Sequence, residues 1–480
     1  MITNKLALVS LLALALPSSA CAAWSSTNDL ARVTELASSR VPIELADLDD
    51  GDDPQLDTPE QIQSLLAAPL EVDTAVRIAL LNNRPLRATL RELGIERGQL
   101  IEARTPVNPT FEFELLPERN SAYELRVEYE ISDLILAPLR AKVAKAELEA
   151  ARYDAAAEVV ELGFEVRSAY LGVQAAQQRL ALGQRAIDAL AAGRDAARAL
   201  TDAGNINDLD ASLRIAAYER GRISVAMLEF EQLEARERLH RLLGLHGEDI
   251  EWTIEAPLAA APETLPDLGP SENEAIAASL ELAATRSHLE ALARKTGLSR
   301  TEGWLPDIAV DVHGLAGAPD GALQTDGTPW RFGAGVSLAV PLADRNQGRT
   351  RSIEAEFDGL MERYLGQAID VRSAARLARA RVESAHAQAR HFAAVLMPAQ
   401  QRVLDETMLQ YDAMQLDLFA LLAREREQLE LAIVEVDTLE SYWVAVAAHD
   451  ALLAGKRVDM IMTTNTDAMT PAGSSSEAGH

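Results

Sequence analysis

From Leu139 to Ala256 the chain contains no proline, and apolar residues return at helical spacing through Val143, Ala146, Leu148, Ala151, Ala155, Val159 and Leu162. Few layered globular domains tolerate so long a stretch of one pattern. Its one break is Ala203-Gly204-Asn205-Ile206-Asn207-Asp208, where Gly, Asn and Asp stand together as a turn signal. The arms on either side are roughly 60 and 40 residues long, and at about 1.5 Å per residue the longer reaches about 90 Å. The sequence therefore predicts a long helical hairpin over about 139–248.

The pattern then returns. A helix from about Leu70 to Ala103 ends at Pro106 and Asn108-Pro109, and a second from about Asn273 to Ser299 precedes Trp304-Leu305-Pro306. Another long helix starts near Gly348 and reaches Tyr411. A turn region from Asp412 to Asp417 then leads into a last helix ending near Gly455. Pro398 lies inside the third long helix and is expected to kink it. The chain reads as two copies of one unit, offset by roughly 200 residues.

Between the helices the period changes from 3.6 to 2. Phe111, Phe113 and Leu115 alternate with Thr110, Glu112 and Glu114. Past Pro117 to Ser121, Tyr123, Leu125, Val127, Tyr129 and Ile131 alternate with Glu124, Arg126, Glu128 and Glu130. In the second copy Ile308, Val310 and Val312 stand against Asp307, Asp311 and His313. Phe332, Ala334, Val336, Leu338 and Val340 later stand against Arg331, Gly333, Gly335 and Ser337. Each pair predicts a β-hairpin, over about 109–131 and 307–340. One face of each strand is apolar and the other charged, which suits either a half-buried soluble sheet or a barrel with lipid outside and water inside. Four strands cannot close a membrane barrel, and open edges are not tolerated in lipid, so a barrel requires several protomers.

The N-terminus reads as a secretory signal over 1–22, with Lys5 ahead of an apolar core from Leu6 to Leu16 that is too short to span a bilayer. Two processing routes are open. Ala20 and Ala22 form an A-x-A site releasing Ala23, whereas Cys21, the single cysteine, is a possible lipid-bearing first residue. Residues 23–69 are expected to be irregular and 457–480 a disordered tail rich in Thr, Ser, Gly and Ala. No later stretch approaches the roughly 20 apolar residues of a transmembrane helix. The first repeat is assigned to 70–270 and the second to 271–456, the latter with its hairpin over about 348–455.

A formal net charge of -29 argues against nucleic acid and fits cationic cargo or partners. Aromatics make up only 4%, which with abundant Ala, Leu, Glu and Arg favours long helices over layered domains. No G-x-S-x-G, H-E-x-x-H, phosphate-binding glycine loop or cysteine pair occurs, so neither an enzyme, a cofactor nor a metal centre is expected. The histidines are scattered, and His386 and His391, five apart, do not share a helix face as i,i+4 ligands would.

At this point the sequence resembles the TolC-like outer membrane factors, from about Leu70 to Gly455. The segment Asp73-Thr-Ala-Val-Arg-Ile-Ala-Leu-Leu-Asn-Asn-Arg-Pro85 looks like the family's first-helix signature, and Asn108-Pro109 leads into the first strand. Pro341-Leu-Ala-Asp-Arg-Asn-Gln-Gly348 looks like the link back into the long helix. Tyr411-Asp-Ala-Met-Gln-Leu-Asp-Leu-Phe-Ala-Leu-Leu422 and Ser441-Tyr-Trp443 look like the second tip and closing helix. The Leu-Leu-Asn-Asn-Arg stretch and the second tip look closest to the heavy-metal efflux branch.

The resemblance implies a mainly α fold with a small β part, each chain a duplicated β-hairpin plus long helical hairpin. Three chains would form one twelve-stranded outer membrane barrel continuous with a periplasmic helical tunnel. It implies a homotrimer in outer membrane lipid, joined to a periplasmic membrane-fusion adaptor and an inner membrane pump, of RND type for the metal branch. The implied function is passive conduction of substrate out of the periplasm, heavy-metal cations foremost, with drug efflux or type I protein secretion as the alternative cargo. The rival from another class is a periplasmic coiled-coil adaptor or structural protein, which would flank one hairpin, not two, with Gly-rich β-domains.

Site expectations follow. Asp202, Asp208, Asp210, Asp412 and Asp417 cluster at the hairpin tips, where threefold repetition would make carboxylate rings at the channel mouth. The competing role is helix capping, for which Asp is favoured. Gly204, Asn205, Met414 and Gln415 are the expected adaptor contacts. Met414 stands where the family usually has Gly. Glu112, Glu124, Glu128 and Asp311 are expected in the barrel lumen.

Overall fold

A computed structural model of the chain describes residues 27–38, 59–116, 122–269, 271–316 and 331–458. In chain order these form α1 (Thr27–Ser38), α2 (Pro59–Leu66), α3 (Val72–Asn82), α4 (Arg84–Arg104), β1 (Thr110–Leu116), β2 (Ala122–Glu130), α5 (Ile131–Asp202) and α6 (Asp208–Leu243). The second half contains α7 (Ser271–Ala278), α8 (Leu280–Glu302), β3 (Asp307–Ala316), β4 (Arg331–Ala339), α9 (Gln347–His391), α10 (Met397–Asp412) and α11 (Leu418–Leu453). The fold is mainly helical with one antiparallel sheet in the order β1-β2-β3-β4. The signal segment 1–22 and residues 459–480 of the expected tail lie outside the described residues.

Several boundaries correct the sequence expectation. The segment 23–69 is not wholly irregular, since it contains α1 and α2. The single helix expected over about 70–103 is two helices. Pro85 has no N–H for the helical ladder, so Asn83 steps into extended backbone (φ -65°, ψ 116°) and its side chain accepts from the N–H of Leu86 at 2.9 Å. The second copy breaks at the matching place, at Ser279 between α7 and α8. Helix α5 begins at Ile131 rather than near Leu139 and runs 72 residues with Pro138 inside it. At Pro398 the chain forms one π turn, Phe392–Leu396, in which the N–H of Met397 donates to the carbonyl of Phe392. Widening the turn relieves the clash between a proline ring and the carbonyl four residues earlier.

The chain divides into two compact units. The first comprises Met1–Leu180, Ile223–Pro257 and Leu280–Ile369. It holds the sheet, and its helices are tied by polar side chains where the chain leaves regular structure. Asn82 donates to the carbonyls of Leu243 and Gly244, and Asn83 to that of Leu242, so the dipeptide serves the open carbonyl end of α6. Gly244 adopts φ 68° there, and a Cβ on it would lie 2.7 Å from the carbonyl oxygen of Asn82. Tyr170 donates to the carbonyl of Leu70, whose N–H donates to Thr253.

The second unit comprises Ala181–Arg222, Leu258–Ser279 and Asp370–His480. Its core groups Val382, Tyr442 and Ala445. The connector between the repeats crosses this core as an irregular strap, held by Trp443 Nε1 donating to Ala259 (2.7 Å), His386 Nε2 to Pro262 (2.8 Å) and Arg379 to Gly269 (3.0 Å).

Candidate functional site

The first candidate surface is the sheet. Its register lines up Glu112, Arg126, His313 and Gly333 in one cross-strand row and Thr110, Glu128, Asp311 and Gly335 in the next. These rows share one face, because both lie an even number of residues apart along every strand. Phe111, Val127, Val312 and Ala334 form a row on the other face, as do Phe113, Leu125, Gly314 and Phe332. That second face is uncovered, with Phe111 68% exposed and Val336 72% exposed.

The four expected lumen residues, Glu112, Glu124, Glu128 and Asp311, therefore share the charged face. Two partners there were not singled out from sequence. Arg126 pairs with Glu124 at 3.1 Å and lies 3.9 Å from Glu112, and His313 Nδ1 lies 2.8 Å from Asp311. Gly333 and Gly335 sit beneath these side chains, since a Cβ on either would lie within 2.4 Å of His313 or Asp311. The signal was present in the alternation, which places Arg126 and His313 in the same phase as the glutamates.

The second candidate surface is the pair of tips, both in the second unit. Residues 200–207 and 410–417 form the same turn. Gly204 and Met414 both take the left-handed conformation, at φ 71° and 57°. The N–H of Gly204 donates to Thr201, as that of Met414 does to Tyr411, and the next N–H reaches back to Leu200 and Gln410 respectively, at 2.8 Å in both tips. Asn207 then caps α6 through the N–H of Asp210, and Asp417 caps α11 through that of Ala420, again at 2.8 Å. The hydrogen bonds that close Gly204's turn thus close Met414's as well.

All five tip aspartates lie in these turns or the adjoining helix ends, but they differ in employment. Asp417 is a helix cap. Asp202, Asp208, Asp210 and Asp412 are exposed, and the cap of α6 is Asn207, a residue the sequence reading left unassigned. Gly204, Asn205, Met414 and Gln415 form the exposed apex of the turns, with Met414 94% exposed. Arg214 stacks over the ring of Phe419 at 4.6 Å, linking the helices that leave the two tips. Beside the second tip an open groove of about 670 Å³ runs between α10 and α11, lined by Glu406, Thr407, Gln410, Leu416, Arg424 and Glu427 among others. Cys21 lies outside the described residues. Among the described residues no group of three or more His, Asp or Glu side chains is placed to hold a metal ion.

No family model matches the chain. A relative from Cupriavidus metallidurans, the cobalt-zinc-cadmium resistance protein CzcC, is 23% identical over 402 residues, covering 81% of this chain and 90% of its own. Among solved structures, the Campylobacter jejuni CmeC outer membrane channel superposes with a TM-score of 0.68 at 15% identity, over 80% of this chain and 86% of its own. The transmembrane channel CusC superposes at 0.64 and 17% identity, over 80% and 92%.

Proposed function

We infer, from a chain that has the fold of the TolC-like outer membrane factors as its sequence resemblance implied, that this protein is an outer membrane efflux channel reaching into the periplasm. Conduction through such a channel is passive and makes or breaks no covalent bond. The observation that carries this reading is the sheet: four strands, an exposed apolar face, a charged face, and β1 and β4 each paired on one side only among the described residues. In lipid every backbone N–H and C=O needs a partner, so the free edges of β1 and β4 must meet strands of other copies. Three copies supply twelve strands. The charged face, with Glu112, Glu124, Glu128 and Asp311, then lines water and the apolar face meets lipid.

The helices support the same assembly. Ile223, Met227 and Phe230 on α6 are exposed at i, i+4 and i+7, a stripe suited to a neighbouring helix rather than to water. Leu365 and Ile369 form a similar exposed pair on α9. The long helices of three chains would enclose a tunnel, with the tips at its periplasmic mouth and Gly204, Asn205, Met414 and Gln415 available to a periplasmic adaptor that links the channel to an inner membrane pump. The tip aspartates would then form carboxylate rings at the mouth. The cargo we propose is a heavy-metal cation, on the cobalt-zinc-cadmium resistance named for the Cupriavidus relative and the acidic character of the proposed lumen and mouth.

Outer membrane fractionation, with gel mobility compared before and after boiling, tests the assembly. A heat-modifiable trimer in the outer membrane that conducts ions in planar bilayers is expected. A monomer in the soluble periplasmic fraction, migrating alike with and without heat, would sink the channel reading.

A further inference from the structure

Two side chains of the charged face lean toward the edge at which the next copy must pair. A Cβ on Gly333 would lie 2.8 Å from Cε1 of the His313 ring and closer still to Nε2, and a Cβ on Gly335 would lie 3.0 Å from the Asp311 carboxyl carbon. Both side chains therefore cross from β3 over the edge strand β4 and occupy space that any other residue there would fill. Positions 333 and 335 add no side chain of their own, so at this level the imidazole is the last group before the open edge.

The tautomer follows from the partner. His313 Nδ1 lies 2.8 Å from a carboxylate oxygen of Asp311, and an ionised carboxylate can only accept, so the proton of the neutral ring is on Nδ1. Nε2 then carries a lone pair. A carboxylate on the far nitrogen is the arrangement that orients a metal-ligating histidine and makes it more basic. Arg126, directly across on β2, is engaged by Glu124 at 3.1 Å and lies 3.9 Å from Glu112, and the lean of the ring over β4 carries Nε2 away from it.

What stands beyond the edge follows from the topology. β1 and β3 run one way and β2 and β4 the other, so β4 of one copy meets β1 of the next as an antiparallel pair, like those within the chain. On the charged face β1 offers Glu112 and Glu114, both exposed, and Glu114 has no ion-pair partner among the described residues. A lone pair on Nε2 and a carboxylate are both acceptors. Brought together at the seam, they need a cation between them.

We propose that His313 Nε2 of one copy and Glu112 or Glu114 of the next form a transient site for a borderline divalent cation, of the class of zinc, cobalt and cadmium, at each seam of the lumen wall. The site rests on the channel reading and deepens it, as the place where cargo touches protein. An imidazole nitrogen beside carboxylate oxygen favours such ions over magnesium and calcium, which take oxygen alone. Two protein ligands, with water completing the shell, bind weakly enough to release, as conduction demands. The site is shared between copies, in keeping with the lack of any three-ligand group among the described residues of one chain.

The test uses full-length trimers, with zinc and magnesium as probes and unheated gels to show that each variant is assembled. In equilibrium dialysis the parent should retain about one zinc ion more per chain than His313→Gln, and no more magnesium. Gly333→Ala should behave like His313→Gln although the histidine remains, because the added methyl displaces the ring. Glu112→Gln with Glu114→Gln should weaken zinc retention about tenfold, and Asp311→Asn by as much through loss of the orienting carboxylate. In planar bilayers zinc should reduce the parent's potassium current at a concentration about tenfold lower than for His313→Gln. Equal zinc retention by the parent and His313→Gln overturns the site. Undiminished retention when both glutamates are replaced overturns its placement at the seam, and with it the proposal. A parent trimer that conducts no potassium overturns the channel reading instead, whatever it binds in dialysis.

Discussion

Asp29 and the tip aspartates are the same side chain in opposite employment. Asp29, in α1, is 3% exposed and receives Arg97 through two hydrogen bonds of 2.8 and 2.6 Å and Arg152 through two more of 3.0 and 2.5 Å. Arg152 also holds Glu149, which Arg32 of α1 reaches at 3.3 Å. One carboxylate thereby fastens α1 to α4 and α5. Asp202, Asp208, Asp210 and Asp412 sit in water at the tips. Where a carboxylate is desolvated its charge is committed to structure, and where it stays hydrated in a cluster its field remains available to passing ions.

The largest effect should come from breaking the committed member. Asp29→Ala strips the largely buried Arg97 guanidinium of its carboxylate and leaves Arg152 with Glu149 alone, which costs about 3 kcal/mol. The midpoint of guanidinium unfolding should fall and α1 should become open to protease, with ion selectivity in bilayers unchanged. A normal midpoint would mean that the arginines find other partners and that the clamp is not specific.

The tips differ in the residue that turns the corner. A side chain in the left-handed region costs about 1 kcal/mol relative to glycine, so Met414→Gly should stabilise the second hairpin by about that amount and Gly204→Met should weaken the first by as much. Hydrogen exchange at the amides of residues 204–206 and 414–416 reads each change locally. Equal exchange in the parent and both variants would show that Met414 bears no strain.

Charge at the tips should matter less to stability than to permeation. Asp417→Asn keeps an oxygen to cap Ala420, and the Asp412 side chain makes no hydrogen bond among the described residues, so the pair should leave unfolding within about 0.5 kcal/mol of the parent. The reversal potential under a salt gradient should still move toward lower cation preference. Asp202, Asp208 and Asp210 changed together should move it further, since none of them serves as a cap. Unchanged selectivity in both sets, with trimers intact, would assign these residues to solvation and leave selection to Glu112, Glu124, Glu128 and Asp311.

Much of this was readable from periodicity. The long helices, the four strands and the likeness of the two halves follow from spacing that any L-polypeptide must convert into the same local geometry. What was not readable depends on contacts distant in sequence. Helix α1 carries Leu30, Val33 and Ala37 at helical spacing, but so short a helix is marginal alone and is fixed by Arg97 and Arg152, many residues away. The break at Asn83 needed the open end of α6 to give its side chain partners. The π turn at Phe392–Leu396 is the answer to a proline whose disturbance, but not whose remedy, sequence reveals. At the candidate sites, alternation put the lumen carboxylates on one face, whereas the pairing of Arg126 and His313 with them required the cross-strand register.

The smallest predicted effect sharpens the contrast at an intermediate case, where carboxylates are neither buried and paired nor freely hydrated. His288 of α8, about half exposed, lies 3.9 Å from Asp154 of α5, with Glu147 of α5 and Glu96 of α4 contributing to its field. The Asp154 carboxylate, 3.9 Å away, raises the His288 pKa against an opposing cost of burial, and the charges of Glu147 and Glu96 add to the rise. Burial first, and Glu147 second, also raise the pKa of Glu96, which His288 partly offsets. A histidine raised in the folded state contributes stability that is complete below its unfolded value, about 6.5, and is lost as pH rises through the higher folded value. The raised Glu96 has the same sign but acts in a lower window, which opens at its unfolded value of about 4.3, so the histidine carries the change near neutrality. Stability should therefore decline as pH rises past about 6.5, by only about 0.3 kcal/mol given the exposure of the pair. His288→Gln should remove most of the histidine's share, so unfolding midpoints of the variant at pH 6 and pH 8 should lie closer together than those of the parent. An undiminished difference would place the pH dependence elsewhere and reduce this cluster to solvated surface.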